Sequence, residues 1–424
     1  MENEMQMPFF TNDAVVFGLL IVVLALIFWT SSLQSRFWKK FYLFVPALLL
    51  CYFVPALLKW PLNLVSGEVS RLYFVASQYM LPAALILLCV GIDFKGIIRM
   101  GPKAIIMFLA GTFGIIIGGP ISLWFMKTFA PGLIPIEMNE LWRGMSTIAG
   151  SWIGGGANQT AMKEIFEVPD NIFGIMIVVD VIVASVWMGV LLFSATLRER
   201  VNRFLKADNT AILELERNME NYTASVKKIP TTTDVFIMLA VAFGGVALAH
   251  WGADVIVPAL EIYRPQLLDL RLHSLLSGFF WLIVIATTFG LLLSFTRARQ
   301  LEGVGATRWG SVFIYILVAT IGMKMDLEAI FQKENAGLFL LGIVWMLVHV
   351  FFMLLIAKLI KAPLFFVAVG SQANVGGAAS APIVASAFNP SLASVGALMA
   401  VLGYALGTYG AYISALLMEW VASL

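Results

Sequence analysis

The sequence predicts an all-α membrane protein that crosses the bilayer about 11–13 times. Two of its helices are expected to be broken at their middle, with the two breaks facing each other. Three observations predict this. Of 424 residues, 60% are hydrophobic and only 12% are charged, and the mean hydropathy is +0.91, which is not the composition of a soluble domain. Apolar runs of about 18–25 residues recur along the whole chain, the length needed to cross a hydrocarbon core of about 30 Å. Two such runs are interrupted by glycines, hydroxyls and amides, from Gly150 to Thr160 (GSWIGGGANQT) and from Gly370 to Pro382 (GSQANVGGAASAP). A β-barrel is excluded, because its strands alternate and run to only about 10 residues.

Taken in order, the first half carries apolar segments at 13–33, 41–58, 73–92, 104–127, 143–167 and 171–196. The first segment follows an acidic N-terminus with no basic stretch, so it reads as a retained helix and not a cleaved signal. The second is short and holds Pro46 and Pro55, which disturb a helix interior. Cys51 and Cys89 sit inside apolar runs without metal-ligand spacing and read as small packing residues. The fifth segment, 143–167, is expected to be a broken helix.

A polar connector at 197–233 carries Arg198, Arg200, Arg203, Lys206, Lys227 and Lys228. It divides the chain into a first repeat, 1–196, and a second, 234–424, and the positive-inside rule assigns it to the cytoplasm. The second half has segments at 234–258, 274–295, 309–325, 337–360, 363–388 (broken) and 392–421. Each half has a span that ends in glycine shortly before an aspartate, Gly91 with Asp93 and Gly322 with Asp326. A Gly-rich span, a broken segment and a closing span follow in both. The basic loops, Arg36–Lys40, Lys95–Lys103, Arg297–Arg308 and Lys358–Lys361, fall at non-equivalent places in the two halves, which favours inverted insertion. Twelve plain crossings split six and six would give parallel repeats instead, so one span is expected to be miscounted, near 234–272.

The two interruptions carry the candidate chemistry. Glycines at 154, 155 and 156 permit non-helical backbone. A break inside the membrane leaves carbonyls of one half-helix and N–H groups of the next without helical partners. The carbonyl end suits a cation and the amide end suits an anion. The expected solute site is therefore Ser151, Gly154, Gly155, Gly156, Asn158, Gln159 and Thr160 from the first break. The second break adds Ser371, Gln372, Asn374, Gly376, Gly377 and Ser380. Asp180 stands in the apolar run Ile177–Val183 with no basic residue within a helical turn. A buried charge of that kind costs about 2.5–3.5 kcal/mol on insertion scales, so it should face a cavity, an ion or the break. Asp180, Asn158 and Asn374 are assigned to ion coupling, with Na⁺ at Gly154, Asn158 and Asp180. His349 is the deepest histidine and reads as a hydrogen-bonded packing residue. Lys163 and Glu164 read as half-exposed loop charge.

The motif Gly150–Gln159, the run from Phe37 to Leu49 (FWKKFYLFVPALL) and Gly370–Gly377 together resemble the YjcL-like family, bacterial and plastid membrane proteins grouped as a domain of unknown function. That family is similar to the wider clan of cation–proton antiporters, bile-acid/sodium symporters and sodium/glutamate symporters. The resemblance implies inverted repeats with crossed helices, and a core domain that moves against a scaffold domain. The clan's antiporters carry a paired Asp-Asp or Asn-Asp at the crossing. Here Asp180 follows Val179, which argues against a proton antiporter.

The function expected is a secondary active transporter, working as a symporter by alternating access. It would move a small solute, an organic anion or similar metabolite, with Na⁺ or H⁺ as the coupling ion and no other cofactor. A sensor or scaffold that keeps the fold without transporting is the alternative. Enzyme activity is not expected, for the chain has no second membrane aspartate in a Gly-x-Gly-Asp setting, no His-Glu-x-x-His and no Walker glycines. The partners expected are the lipid bilayer, the small solute and a second copy in a homodimer, with no nucleic acid. The location expected is the bacterial inner membrane.

Overall fold

Apolar segments in hydrocarbon must satisfy their backbone internally, and helices are the way an unclosed chain does so. A computed structural model describes residues 7–45, 47–92, 98, 100–134, 136–207, 230–269, 273–325, 336–389 and 392–424. Among these residues the chain is helical nearly throughout and contains no strand. Asp93, Lys95, Arg99, Pro46, Asp326, Pro390, Lys227 and Lys228 lie outside the described residues.

The first half comprises α1 (Asp13–Ser32), α2 (Arg36–Phe44), α3 (Ala47–Lys59), α4 (Leu72–Val90), α5 (Pro102–Phe129), α6 (Met138–Gly154), α7 (Gly156–Ile165) and α8 (Asp170–Thr196). The connector begins with α9 (Arg198–Leu205). The second half comprises α10 (Thr232–Glu261), α11 (Gly278–Ser294), α12 (Ala306–Gly322), α13 (Ala336–Leu359), α14 (Leu364–Val375), α15 (Gly377–Phe388) and α16 (Ala393–Ser423). Helices occupy all twelve expected segments. Among the described residues, seven helices (α1, α4, α5, α8, α10, α13 and the body of α16) are individually long and apolar enough to cross a membrane. The protein is an integral, multi-pass membrane protein. Helix starts follow local chemistry: Asn12 accepts the Ala14 N–H at 2.8 Å, and Thr231 with Asp234 forms a capping box on α10. Phe236, Phe243, Trp251 and Val255 of α10 are exposed and form a lipid-facing surface.

The two interrupted segments do not cross the bundle. Trp142, near the start of α6, lies edge-on to Phe166, just past α7, with ring centroids 5.4 Å apart. A Cβ on Gly150 would lie 2.5 Å from the Asn158 carbonyl oxygen. The chain therefore doubles back at Gly155, and α6–α7 is a re-entrant hairpin. The same holds for α14–α15, where Phe365 at the start meets Phe388 at the end at 5.7 Å. This corrects the expectation of helices that cross with a break at their middle. The turns rest on Gly155, with φ +77° and ψ −174°, and on Gly377, with φ +60°, conformations that a side chain disfavours.

The hairpins enter from opposite ends. Leu133, just ahead of α6, packs against Gly337 at the start of α13, and Asp170 at the start of α8 pairs with Lys324, just past the end of α12, at 3.3 Å. The start of α14 lies at the far end of α13, where the Leu364 N–H donates to Asn202 Oδ1 of α9 at 2.8 Å. Among the described residues ten helices lie outside the hairpins and the connector and alternate in direction, namely α1, α3, α4, α5 and α8 before the connector and α10, α11, α12, α13 and α16 after it. The first set begins at the Lys324 end, as Ser70 Oγ donates to Asp13 Oδ1 at 2.7 Å and the Gly67 N–H donates to Met323 O at 3.2 Å. The second begins at the opposite end. The miscounted spans are thus the two hairpins, and not 234–272, where α10 is a single helix to Glu261. This path also gathers Arg36, Lys39, Lys40, Lys103, Arg198, Arg200, Arg203, Arg297, Arg308, Lys358 and Lys361 at one end.

At the other end Lys163 is not half-exposed. It is 6% exposed, pairs with Asp170 at 2.9 Å and Glu164 at 3.3 Å, and donates to the Tyr73 hydroxyl at 3.0 Å. This cluster closes the open base of the first hairpin.

Candidate functional site

The tips of the two hairpins meet at a cavity of about 350 Å³. Ser151, Gly155 and Gly156 line it from the first hairpin; Gln372, Gly376, Gly377 and Ser380 line it from the second. Asp180 and Ser185 face it from α8, Ser311 and Tyr315 from α12, and Tyr404 from α16. Eight of the residues expected at the site therefore share one wall.

Side chains tie each tip together. At the first, the Gly155 N–H donates to Ser151 O at 2.8 Å, and Gly155 O accepts from the N–H groups of Asn158 and Gln159 at 3.0 and 3.1 Å. Asn158 Nδ2 reaches back across the break to Gly154 O at 3.0 Å, which satisfies a carbonyl that the break orphans. Its Oδ1 accepts from Thr408 Oγ1 at 2.6 Å. At the second tip, Gln372 Nε2 donates across the break to Ser380 Oγ at 2.7 Å. Asn374 Nδ2 donates to Gly370 O and Phe108 O at 2.9 and 3.0 Å, and its Oδ1 accepts from Thr112 Oγ1 at 2.8 Å. Both asparagines are buried and engaged at each polar atom. They anchor the hairpins and do not line the cavity.

Asp180 is 5% exposed. Its Oδ1 accepts from Trp152 Nε1 at 2.6 Å and its Oδ2 from Gln159 Nε2 at 3.0 Å. The carboxylate thus sits between the two halves of the first hairpin, held by neutral donors alone. The groups that face it are Ser151 and Trp152 of α6, Gln159 of α7 and, behind Gln159, the Tyr52 hydroxyl at 3.5 Å from Gln159 Oε1. His349 on the neighbouring α13 is turned away, bonded to Gly111 O at 3.0 Å and to Ser371 Oγ at 2.8 Å. Ser371 also accepts from Trp187 Nε1 at 2.8 Å, so it is enclosed and not part of the wall. Thr160 donates to Gly156 O of its own helix at 2.9 Å. Gln372 keeps one atom free: its Oε1 is buried without a partner.

Of the residues expected to hold sodium, Asn158 is bonded to Gly154, and no hydrogen bond joins Asp180 to either of them. The bonds of Asn158 run to Gly154 and Thr408, and those of Asp180 run to Trp152 and Gln159. The three residues belong to two separate sets of contacts. Among the described residues no three His, Cys, Asp or Glu side chains come together to hold a metal. Residues that sequence reasoning passed over are Tyr404, Tyr315, Ser185, Ser311, Thr408 and Thr112. The small-residue run Gly403–Gly410, with Thr408 inside it, was a signal for close packing that could have pointed to the last span.

The two glycines at the first tip should respond to alanine with opposite signs. Gly155 has a backbone conformation that costs about 1–3 kcal/mol with a side chain, so Gly155→Ala should lower the thermal midpoint. At Gly156 an added Cβ meets only Ile314 Cγ2 at 3.8 Å, and alanine lowers the entropy of the unfolded chain by roughly 0.4–1 kcal/mol, so Gly156→Ala should hold or raise it. Equal losses at both positions would contradict the turn at Gly155.

A profile described as "Protein of unknown function (DUF819)" matches residues 18–421, a range that includes both hairpins and Asp180. The chain is also similar to a protein of Bacillus subtilis (strain 168) described as "Uncharacterized membrane protein YjcL". The two are 25% identical over 366 residues, which cover 84% of this chain and 85% of that one.

Proposed function

The chain belongs to the DUF819 family, and for this multi-span member we propose the function of a secondary active transporter. A small solute binds in the cavity between the hairpin tips, and alternating access to the two ends is driven by a gradient of Na⁺ or H⁺. The observation that carries this reading is the meeting of two hairpins from opposite ends around one cavity that holds a buried, charge-unpaired Asp180. A site at mid-depth, bounded by polar backbone breaks and reached by half-helices from either side, is what alternating access requires. Such breaks are tolerated only where they line a cavity. The opposite starting ends of residues 13–196 and 232–423 support an inverted repeat, in which one set of helices rocks against the other. The basic end, with α9 and its arginines, is the cytoplasmic one by the positive-inside rule.

Reconstitution tests the reading. Proteoliposomes holding the full chain should move radiolabelled small organic ions faster than protein-free vesicles when a Na⁺ or pH gradient is imposed, and should lose that advantage when the gradient is collapsed. Binding without flux under either gradient would replace the transporter with the sensor.

A further inference from the structure

We propose that the cavity takes an organic ammonium ion, with its charged head on Asp180 and an N–H donor directed at Gln372. The inference rests on the transporter reading for what the site is used for, but its ligand chemistry comes from the wall itself. Among the described lining residues Asp180 carries the one charge, and none of them is a lysine, arginine or histidine. The hairpin tips do not reverse that sign. At each tip the carbonyl end of one half-helix adjoins the amide end of the next, so partial charges of about half a unit and opposite sign offset one another. An organic anion, the solute expected from the sequence, would stand near a carboxylate with no basic partner among the described lining residues.

The spare hydrogen-bonding capacity has the same polarity. The Asp180 carboxylate takes neutral donors only, from Trp152, Gln159 and Ser151, and its two oxygens together have about four acceptor sites, so room remains for a further donor. Gln372 gives its Nε2 to Ser380 and leaves Oε1 buried and unpaired. A buried acceptor without a donor is destabilising, and a protonated amine supplies both the N–H groups and the charge. The rest of the wall suits an organic body. Tyr315 and Tyr404 contribute aromatic rings, which attract cations at their faces, and Val181, Ile314 and Ile383 contribute aliphatic surface.

The test uses purified full-length protein with matched probes: primary ammonium ions from ethylammonium to octylammonium, carboxylates of the same lengths, tetramethylammonium, and NaCl alone. At least one primary ammonium ion should raise the thermal midpoint saturably, and should bind about tenfold or more tightly than its matched carboxylate. It should also bind more tightly than tetramethylammonium, which has the charge but no N–H. Asp180→Asn should lose the ammonium response, Asp180→Glu should keep the order of probes, and Gln372→Met should weaken the primary ions more than tetramethylammonium. A carboxylate that binds more tightly than every ammonium ion, a response to NaCl with none to the amines, or full ammonium binding by Asp180→Asn would overturn the proposal. The order of probes on the wild-type protein decides the matter even where a variant does not fold. An ammonium ion that binds but is moved by neither gradient leaves the ligand class standing and removes the transporter, whereas carriage of butyrate does the reverse.

Discussion

Asp180→Asn is expected to abolish gradient-driven solute movement in proteoliposomes while the protein becomes more stable. The two halves of this result have one cause. The carboxylate is buried, with the neutral side chains of Trp152, Gln159 and Ser151 as its donors, and desolvating a charged carboxylate costs several kcal/mol that neutral donors offset only in part. Asparagine has the same shape. Its oxygen keeps the Trp152 bond, and Gln159 can present its own oxygen to the new amide. Removing the charge should therefore raise the unfolding free energy by roughly 1–3 kcal/mol, read as a higher thermal midpoint in detergent. The variant would have no negative charge at the hairpin junction to bind an ammonium ion, a proton or sodium, so neither gradient could act through it. A purely structural aspartate gives the opposite pattern, a lower midpoint with flux retained in whatever protein folds. The two readings are thus separated by the sign of the stability change as well as by activity.

The apolar runs made all twelve helical segments legible, because in lipid a run of that length has one way to satisfy its backbone. The interruptions at Gly155 and Gly377 were legible too, as glycines and amides out of place in hydrocarbon. Their direction was not. A glycine break reads the same whether the next half-helix continues or turns back, and the contacts that decide it, Trp142 with Phe166 and Phe365 with Phe388, join residues ordinary in themselves.

The candidate site was legible to the same depth. Asp180 stood out because a lone acid in an apolar run needs a reason, and it does lie beside the first break. Asn158 and Asn374 stood out equally but are bonded within the fold, to Thr408 and Thr112, partners 250 and 262 positions away in the chain. No local pattern reveals such a partner. The organic anion was assigned to the amide ends and the cation to the carbonyl ends of the half-helices, with no view of which side chains the fold would bring to the wall between them.

Gly407→Ile is expected to prevent the protein from folding, and Gly407→Ala to lower its stability by about 1–3 kcal/mol, the range for overpacking a close contact. The reason lies in how the first hairpin is held. On α16, Gly403 packs directly on Ile153 O, and Gly407 packs on the Asn158 amide, with its would-be Cβ also 2.6 Å from Gly154 Cα. Small residues four apart let two backbones meet, the usual means of helix association in lipid. A methyl at 407 displaces the Asn158 amide, and with it the bond from Asn158 to Gly154 that closes the break and the bond from Thr408. The injury to packing and the injury to the hairpin tip are then one event. Glycines with nothing within 4 Å of an added Cβ, Gly18 and Gly244, serve as controls, and alanine there should leave the midpoint unchanged or raise it. Gel-filtration profiles and thermal midpoints of the four variants decide the issue. A folded Gly407→Ile with a wild-type midpoint would mean that α16 does not clamp the hairpin. The tip would then be free to move independently of that helix, and transport models in which the first hairpin and α16 travel together would have to be given up.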